Sequence, residues 1–160
     1  MLAGAPEARR CWACLIKTLV VTGGGRGLGK HLCLALAAQG HRVIFTARTP
    51  EAIAATASAR GGSGVLEGHA VDLGSLASIR AFAAGLSAAG TRVDVLFNCA
   101  GVLQQSPTRR TTSDGFEETL GVNTLAPYLL THELWPALAR PGAPVSVNSQ
   151  RQLSPPSWLA

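Results

Sequence analysis

The residues richest in chemical meaning are Thr22-Gly23-Gly24-Gly25-Arg26-Gly27-Leu28-Gly29. They follow an apolar run (Leu15, Ile16, Leu19, Val20, Val21) and open a helix-like segment from Lys30 to Gln39. A strand, a glycine-rich turn and a helix in that order predict a dinucleotide site. The glycines let the backbone pass close to a pyrophosphate. The helix start then offers it unpaired N–H groups and the positive end of a dipole.

The second candidate strand, Arg42-Val43-Ile44-Phe45-Thr46-Ala47, decides which nucleotide. NAD sites of this kind carry an acid at the end of that strand, where it meets the ribose hydroxyls. Here the strand ends in Arg48, and Arg26 stands inside the glycine turn. Two guanidiniums pair with a ribose 2′-phosphate. The expected cofactor is NADP(H) rather than NAD(H).

The spacing is Gly-x3-Gly-x-Gly with a leading Thr. It resembles the short-chain dehydrogenase/reductase family, and further matches follow in order. In Ala70-Val71-Asp72-Leu73 the resemblance places Asp72 against the adenine. Ser75 can cap the following helix, which leaves Asp72 free. Asn98-Cys99-Ala100-Gly101, after an apolar strand, is similar to the family's Asn-x-Ala-Gly turn. There the Asn steadies the sheet, and small residues let the cofactor lie against the backbone. Asn123 in Gly121-Val122-Asn123-Thr124 matches a helical Asn that helps hold a proton-relay water. Asn is a poor helix-interior residue, which itself suggests a task. The wording Asp114-Gly115-Phe116-Glu117 and Asn123 to Leu130 resembles the retinol-dehydrogenase-like branch.

The resemblance thus implies cofactor contacts at Thr22, Gly23, Arg26, Gly27, Leu28, Gly29, Arg48, Asp72, Leu73, Asn98, Ala100 and Gly101. It implies Asn123 and Ser149 as catalytic residues. Ser149 ends Val145-Ser146-Val147-Asn148-Ser149, where the family usually has a Ser-Ser pair. Family members move a hydride between nicotinamide and an alcohol or carbonyl carbon. A Tyr handles the proton, helped by a Lys four residues on. That Tyr-x3-Lys pair is absent. Tyr128 is the one tyrosine, and His132 follows it at that spacing. Lys17 and Lys30 lie far upstream, and Tyr128 is expected to serve packing.

Apolar runs and helical patterns alternate. Strands are expected near 17–22, 42–47, 65–71, 93–97 and 144–148. Helices are expected near 28–39, 50–60, 75–89 and 115–139, the last bent or ended by Pro127 and Pro136. Such alternation predicts an α/β fold, a doubly wound parallel sheet of Rossmann type. With the family's topology the strand order is 3-2-1-4-5, incomplete at the C-terminal end. Residues 1–160 form a single domain, with 1–14 an N-terminal extension and 150–160 an atypical tail containing Pro155-Pro156.

Composition excludes several classes. At 47% apolar and 14% charged residues the chain is globular rather than disordered. No apolar stretch reaches the ~20 residues that span a bilayer. The net charge of +5 is spread over scattered arginines without aromatic interleaving, so nucleic acid is not an expected partner. Cys11-Trp12-Ala13-Cys14 has metal or redox spacing but no second pair beside it. His31, His41, His69 and His132 share no ligand spacing, so no metal is expected. Thiols of this kind suit a reduced, cytoplasmic compartment. Residues 1–14 leave organelle addressing open.

Two readings follow. In the first, the chain is the N-terminal part of an NADP(H)-dependent oxidoreductase acting on a small alcohol or carbonyl, without turnover alone. In the second, it is a non-catalytic NADP(H)-binding pseudoenzyme, working through a protein partner: a second copy or a full-length relative.

Overall fold

The computed structural model describes residues 16–103, 108–138 and 147–148. Five strands form one parallel sheet: β1 (Thr18–Val21), β2 (Arg42–Ala47), β3 (Val65–Ala70), β4 (Val95–Asn98) and β5 (Val147–Asn148). Their spatial order is β3-β2-β1-β4-β5, as the sequence predicts. Leu19 pairs with Val43 on one side and with Val95 on the other, which makes β1 a central strand.

Helices α1 (Gly27–Ala38), α2 (Pro50–Ala57) and α3 (Leu76–Ala88) connect the first four strands. Alternation along β1 divides the core in two. Leu19 and Val21 face one layer with Val43, Phe45, Val95 and α1's Cys33 and Ala37. Val20 faces the other with Ile44, Leu96 and α3's Ile79, Phe82 and Leu86. A sheet covered on both faces needs apolar residues at successive positions, and Val43 through Ala47 are all buried. On α1 the buried residues are Gly29, Cys33 and Ala37, four apart. These small residues let the helix lie close to the sheet.

The long helix expected over 115–139 is segmented. Helix α4 (Glu118–Leu120) runs into a π-helical turn (Gly121–Leu125), then α5 (Ala126–Glu133) and α6 (Trp135–Leu138). Pro127 has no N–H to give the preceding turn. Just before it the ladder widens, with Ala126 N–H bonded to the Gly121 carbonyl. Pro136 sits in the first turn of α6, where its missing donor costs nothing.

Ala126, Leu130, Leu134 and Leu138 recur every fourth residue and are buried. Tyr128 is on the opposite side of α5 and 74% exposed, which corrects the expectation that it packs. Two residues past Ala126, it is turned about 200° from the buried stripe. Strand β4 begins at Val95 rather than 93, because the Val93 N–H is bonded to the Ala137 carbonyl instead of to a strand. The expected strand residues 144–146 lie outside the described residues, as do 1–15 and the tail from Ser149 onward.

Candidate functional site

The chain turns from β1 to β2 on one side of the sheet and from β1's other neighbour, β4, on the opposite side. A crevice opens between them at the strands' C-terminal ends, as expected at a topological switch point. The glycine turn forms its floor. Thr22 is buried beneath it and joins the two halves. Its hydroxyl donates to the Phe97 carbonyl at 3.5 Å and accepts the Ala100 N–H at 3.1 Å.

Packing dictates two of the glycines. Gly23 has φ +72°, and a Cβ there would lie 2.8 Å from the Ala100 Cα. A Cβ on Gly29 would run into the Gly23 carbonyl. The turn is also held from below. Gly24 N–H donates to the Thr46 carbonyl at 2.8 Å. The fully buried Thr56 hydroxyl, from α2, donates to the Gly24 carbonyl at 3.1 Å.

Helix α1 opens onto this turn without a side-chain cap and without an acid in its first turn; its N-cap residue is Arg26. By contrast α2 is capped by Thr49 and α3 by Ser75. The leading N–H groups of α1 therefore face the cleft, ready for an anion. The glycine cradle, which side chains would fill, and this uncapped helix start both fit a dinucleotide pyrophosphate.

The cleft has a volume of about 570 Å³. Gly23, Arg26, Gly27, Leu28, Gly29, Arg48, Asp72, Leu73, Ala100 and Gly101 line it. Thr22 and Asn98 do not; both are buried under the floor. Arg26 and Arg48 share the cleft and are exposed. The carboxylates among its lining residues are Asp72 and Glu118. Glu118 is paired with Arg110 at 3.2 Å. Asp72 is less free than expected. Ser75 does cap α3, accepting the Ser78 N–H at 3.2 Å, but Asp72 Oδ1 accepts the Gly74 N–H at 2.8 Å. The Asp72 carboxylate shapes its own corner as an Asx turn.

Asn123 lies in the π-helical turn, a distortion common at functional positions. Its amide grips one residue twice. Oδ1 accepts the Val102 N–H at 2.9 Å, and Nδ2 donates to the Val102 carbonyl at 2.8 Å. This pins the backbone just after the Asn98–Gly101 turn. Ser149 lies outside the described residues.

Thr111, Thr112 and Ser113 also line the cleft, although none of the sequence motifs singles them out. Asp114-Gly115 was their available signal, since it marks a tight turn. Thr56 gave no signal within an alanine-rich helix. No group of three or more metal-ligating side chains exists among the described residues. His31 and His132 are exposed, and His69 stacks edge-on to Phe82 at 5.3 Å. Cys33 is buried beneath the turn, its pKa pushed up to about 12 by that burial and then by the neighbouring Cys99.

Fold and cleft together define a doubly wound nucleotide-binding domain. The family model described as short chain dehydrogenase matches residues 17–159, and the chain belongs to that family. It is 37% identical over 153 residues to dehydrogenase/reductase SDR family member 13 of Bos taurus, covering 92% of this chain and 40% of the relative. It is 43% identical over 122 residues to retinol dehydrogenase 13 of Homo sapiens, covering 74% of this chain and 36% of that protein. The chain thus spans about 40% or less of these curated relatives. The Pseudomonas aeruginosa RhlG/NADP active-site complex superposes with a TM-score of 0.72 and 30% identity, covering 86% of this chain and 56% of that one. The resemblance to the retinol-dehydrogenase-like branch holds. Among the described residues no helix is long and apolar enough to cross a membrane.

Proposed function

We propose that this chain is the cofactor-binding part of an NADP(H)-dependent oxidoreductase. Its reaction would transfer a hydride between nicotinamide and a small alcohol or carbonyl compound. The observation that carries the reading is the shared cleft of Arg26 and Arg48, with Arg48 where an NAD site would have its acid. In this reading the pyrophosphate rests on the glycine turn and the α1 N-terminus. The 2′-phosphate lies between the two guanidiniums, and the adenine reaches toward Asp72 and Leu73.

The bound cofactor would give or take the hydride; the chain would orient it. Asn123 steadies the wall beside the nicotinamide end through Val102, and Ser149 would meet the substrate oxygen. The 160 residues hold no Tyr-x3-Lys pair, so they bind cofactor without turning substrate over.

Titration of the purified chain with NADPH and NADH tests the reading. Charge-assisted contacts to a phosphate contribute about 1.5–3 kcal/mol. NADPH should therefore bind about 10–100-fold more tightly than NADH, and Arg48→Ala should erase most of that gap. Equal affinities in the unaltered chain would refute it. Oxidation of alcohols by the chain alone would refute the non-catalytic part. NADPH-dependent capture of a protein partner would instead support the pseudoenzyme reading.

A further inference from the structure

We propose that Asp114 and Ser113 are positioning residues for the adenosine end of the cofactor, acting by clamping a small hairpin onto the β3–α3 corner. The proposal rests on the cofactor reading above and adds the wall that encloses the base.

The hairpin spans residues 111–117. Thr111 and Glu117 form an antiparallel bridge at its base, and Gly115 turns its tip with φ +83°. Thr112 N–H donates to the Phe116 carbonyl at 2.8 Å, and Gly115 N–H donates to the Thr112 carbonyl at 3.0 Å. Below it Arg110 pairs with Glu118 at 3.2 Å. The Glu117 carboxylate takes the N–H groups of Thr119 at 2.9 Å and Leu120 at 2.7 Å. The unit is braced internally and rooted on α4.

Two bonds cross from it to a corner nearly forty positions earlier in the chain. Ser113 Oγ donates to the Gly74 carbonyl at 3.0 Å. Asp114 Oδ2 accepts the N–H of Leu76, the first residue of α3, at 2.8 Å. Ser75 caps the same helix locally through Ser78, so α3 receives one cap from its own turn and one from the hairpin. A carboxylate at a helix start is electrostatically favoured.

Both halves of this joint line the cleft: Thr111, Thr112 and Ser113 from the hairpin, and Asp72, Leu73 and Gly74 from the corner. The sheet order fixes what lies there. A dinucleotide on the β1 turn with its 2′-phosphate at Arg48, after β2, carries its base onward to the end of β3. That position is the corner the hairpin closes. The crossing bonds are exposed, where such bonds add little to global stability. Their effect falls on the width of the slot instead.

The test uses the full chain, titrated with NADP+ and with its 1,N6-ethenoadenine analogue, whose base is larger. The unaltered chain should prefer adenine. Asp114→Ala should weaken NADP+ binding by about tenfold, the factor expected for a lost charge-assisted bond. It should also shrink the preference for adenine over ethenoadenine to within about twofold, with Asp114→Asn restoring part of both. Should Asp114→Ala fail to fold, Ser113→Ala decides, because it removes one crossing bond and leaves both caps of α3. Unchanged base preference in whichever of these variants folds would overturn the proposal, even if affinity fell, because a merely structural role would not alter the ratio. Failure of the unaltered chain to bind either nucleotide would overturn the cofactor reading and this proposal with it.

Discussion

Thr56→Val isolates one hydrogen bond beneath the nucleotide turn. Thr56 is fully buried, and its hydroxyl donates to the Gly24 carbonyl at 3.1 Å. Valine matches threonine in shape, so the substitution opens no cavity. It does leave a buried carbonyl without that donor. Such a loss costs about 1–3 kcal/mol, against a total stability of roughly 5–15 kcal/mol for a single domain. In a chain of this size each kcal/mol moves Tm by about 2–4 °C. Thermal unfolding followed by circular dichroism should therefore show a Tm lower by about 2–12 °C. Thr56→Ser keeps the donor and loses one methyl, worth about 0.8 kcal/mol. It should fall less than Thr56→Val. NADPH affinity should weaken with the valine variant, because Gly24 stands between Gly23 and Gly25 in the turn. A valine variant within about 0.5 kcal/mol of the unaltered chain would refute the reasoning. So would a serine variant less stable than the valine one.

Two further outcomes follow from charge and burial. Arg42 holds Glu67 through two bonds, 2.8 and 2.9 Å, which keep the Glu67 carboxyl below its usual 4.5. A carboxyl lowered on folding stabilises fully above that ordinary value and loses its contribution as pH falls through the lowered one. The side chains are 39% and 35% exposed, so solvent screening limits the effect to under about 1 kcal/mol. In urea melts Glu67→Gln should be slightly less stable at pH 7, and the gap should narrow as pH falls below 4.5; a gap of constant size across that range would contradict the pairing. Cys33, with a pKa near 12, should resist iodoacetamide at pH 8 while the Cys99 peptide is alkylated, and both should react in denaturant. Labelling of Cys33 in the folded chain would show that the turn above it opens.

The sequence alone determined the sheet and its ligand end. Parallel strands buried on both faces need unbroken apolar runs, and Val43–Phe45 and Val95–Phe97 display them. Gly23 and Gly29 declare a close-approach turn because no other residue fits against Ala100 and the Gly23 carbonyl. These signals are local, set by backbone conformation and by the period of burial. Arg48 in place of an acid is equally local. Tertiary structure alone decided which groups brace the turn and which wall closes it. Thr56 reaches Gly24 across 32 positions, and Asp114 reaches Leu76 across 38. Neither has a neighbour in sequence that reveals its partner. Tyr128 failed as a packing residue for a related reason: its helix phase is fixed only once Ala126 and Leu130 meet the sheet. Hydrogen bonds across such separations exist only after the chain has folded, so residue type and spacing cannot announce them.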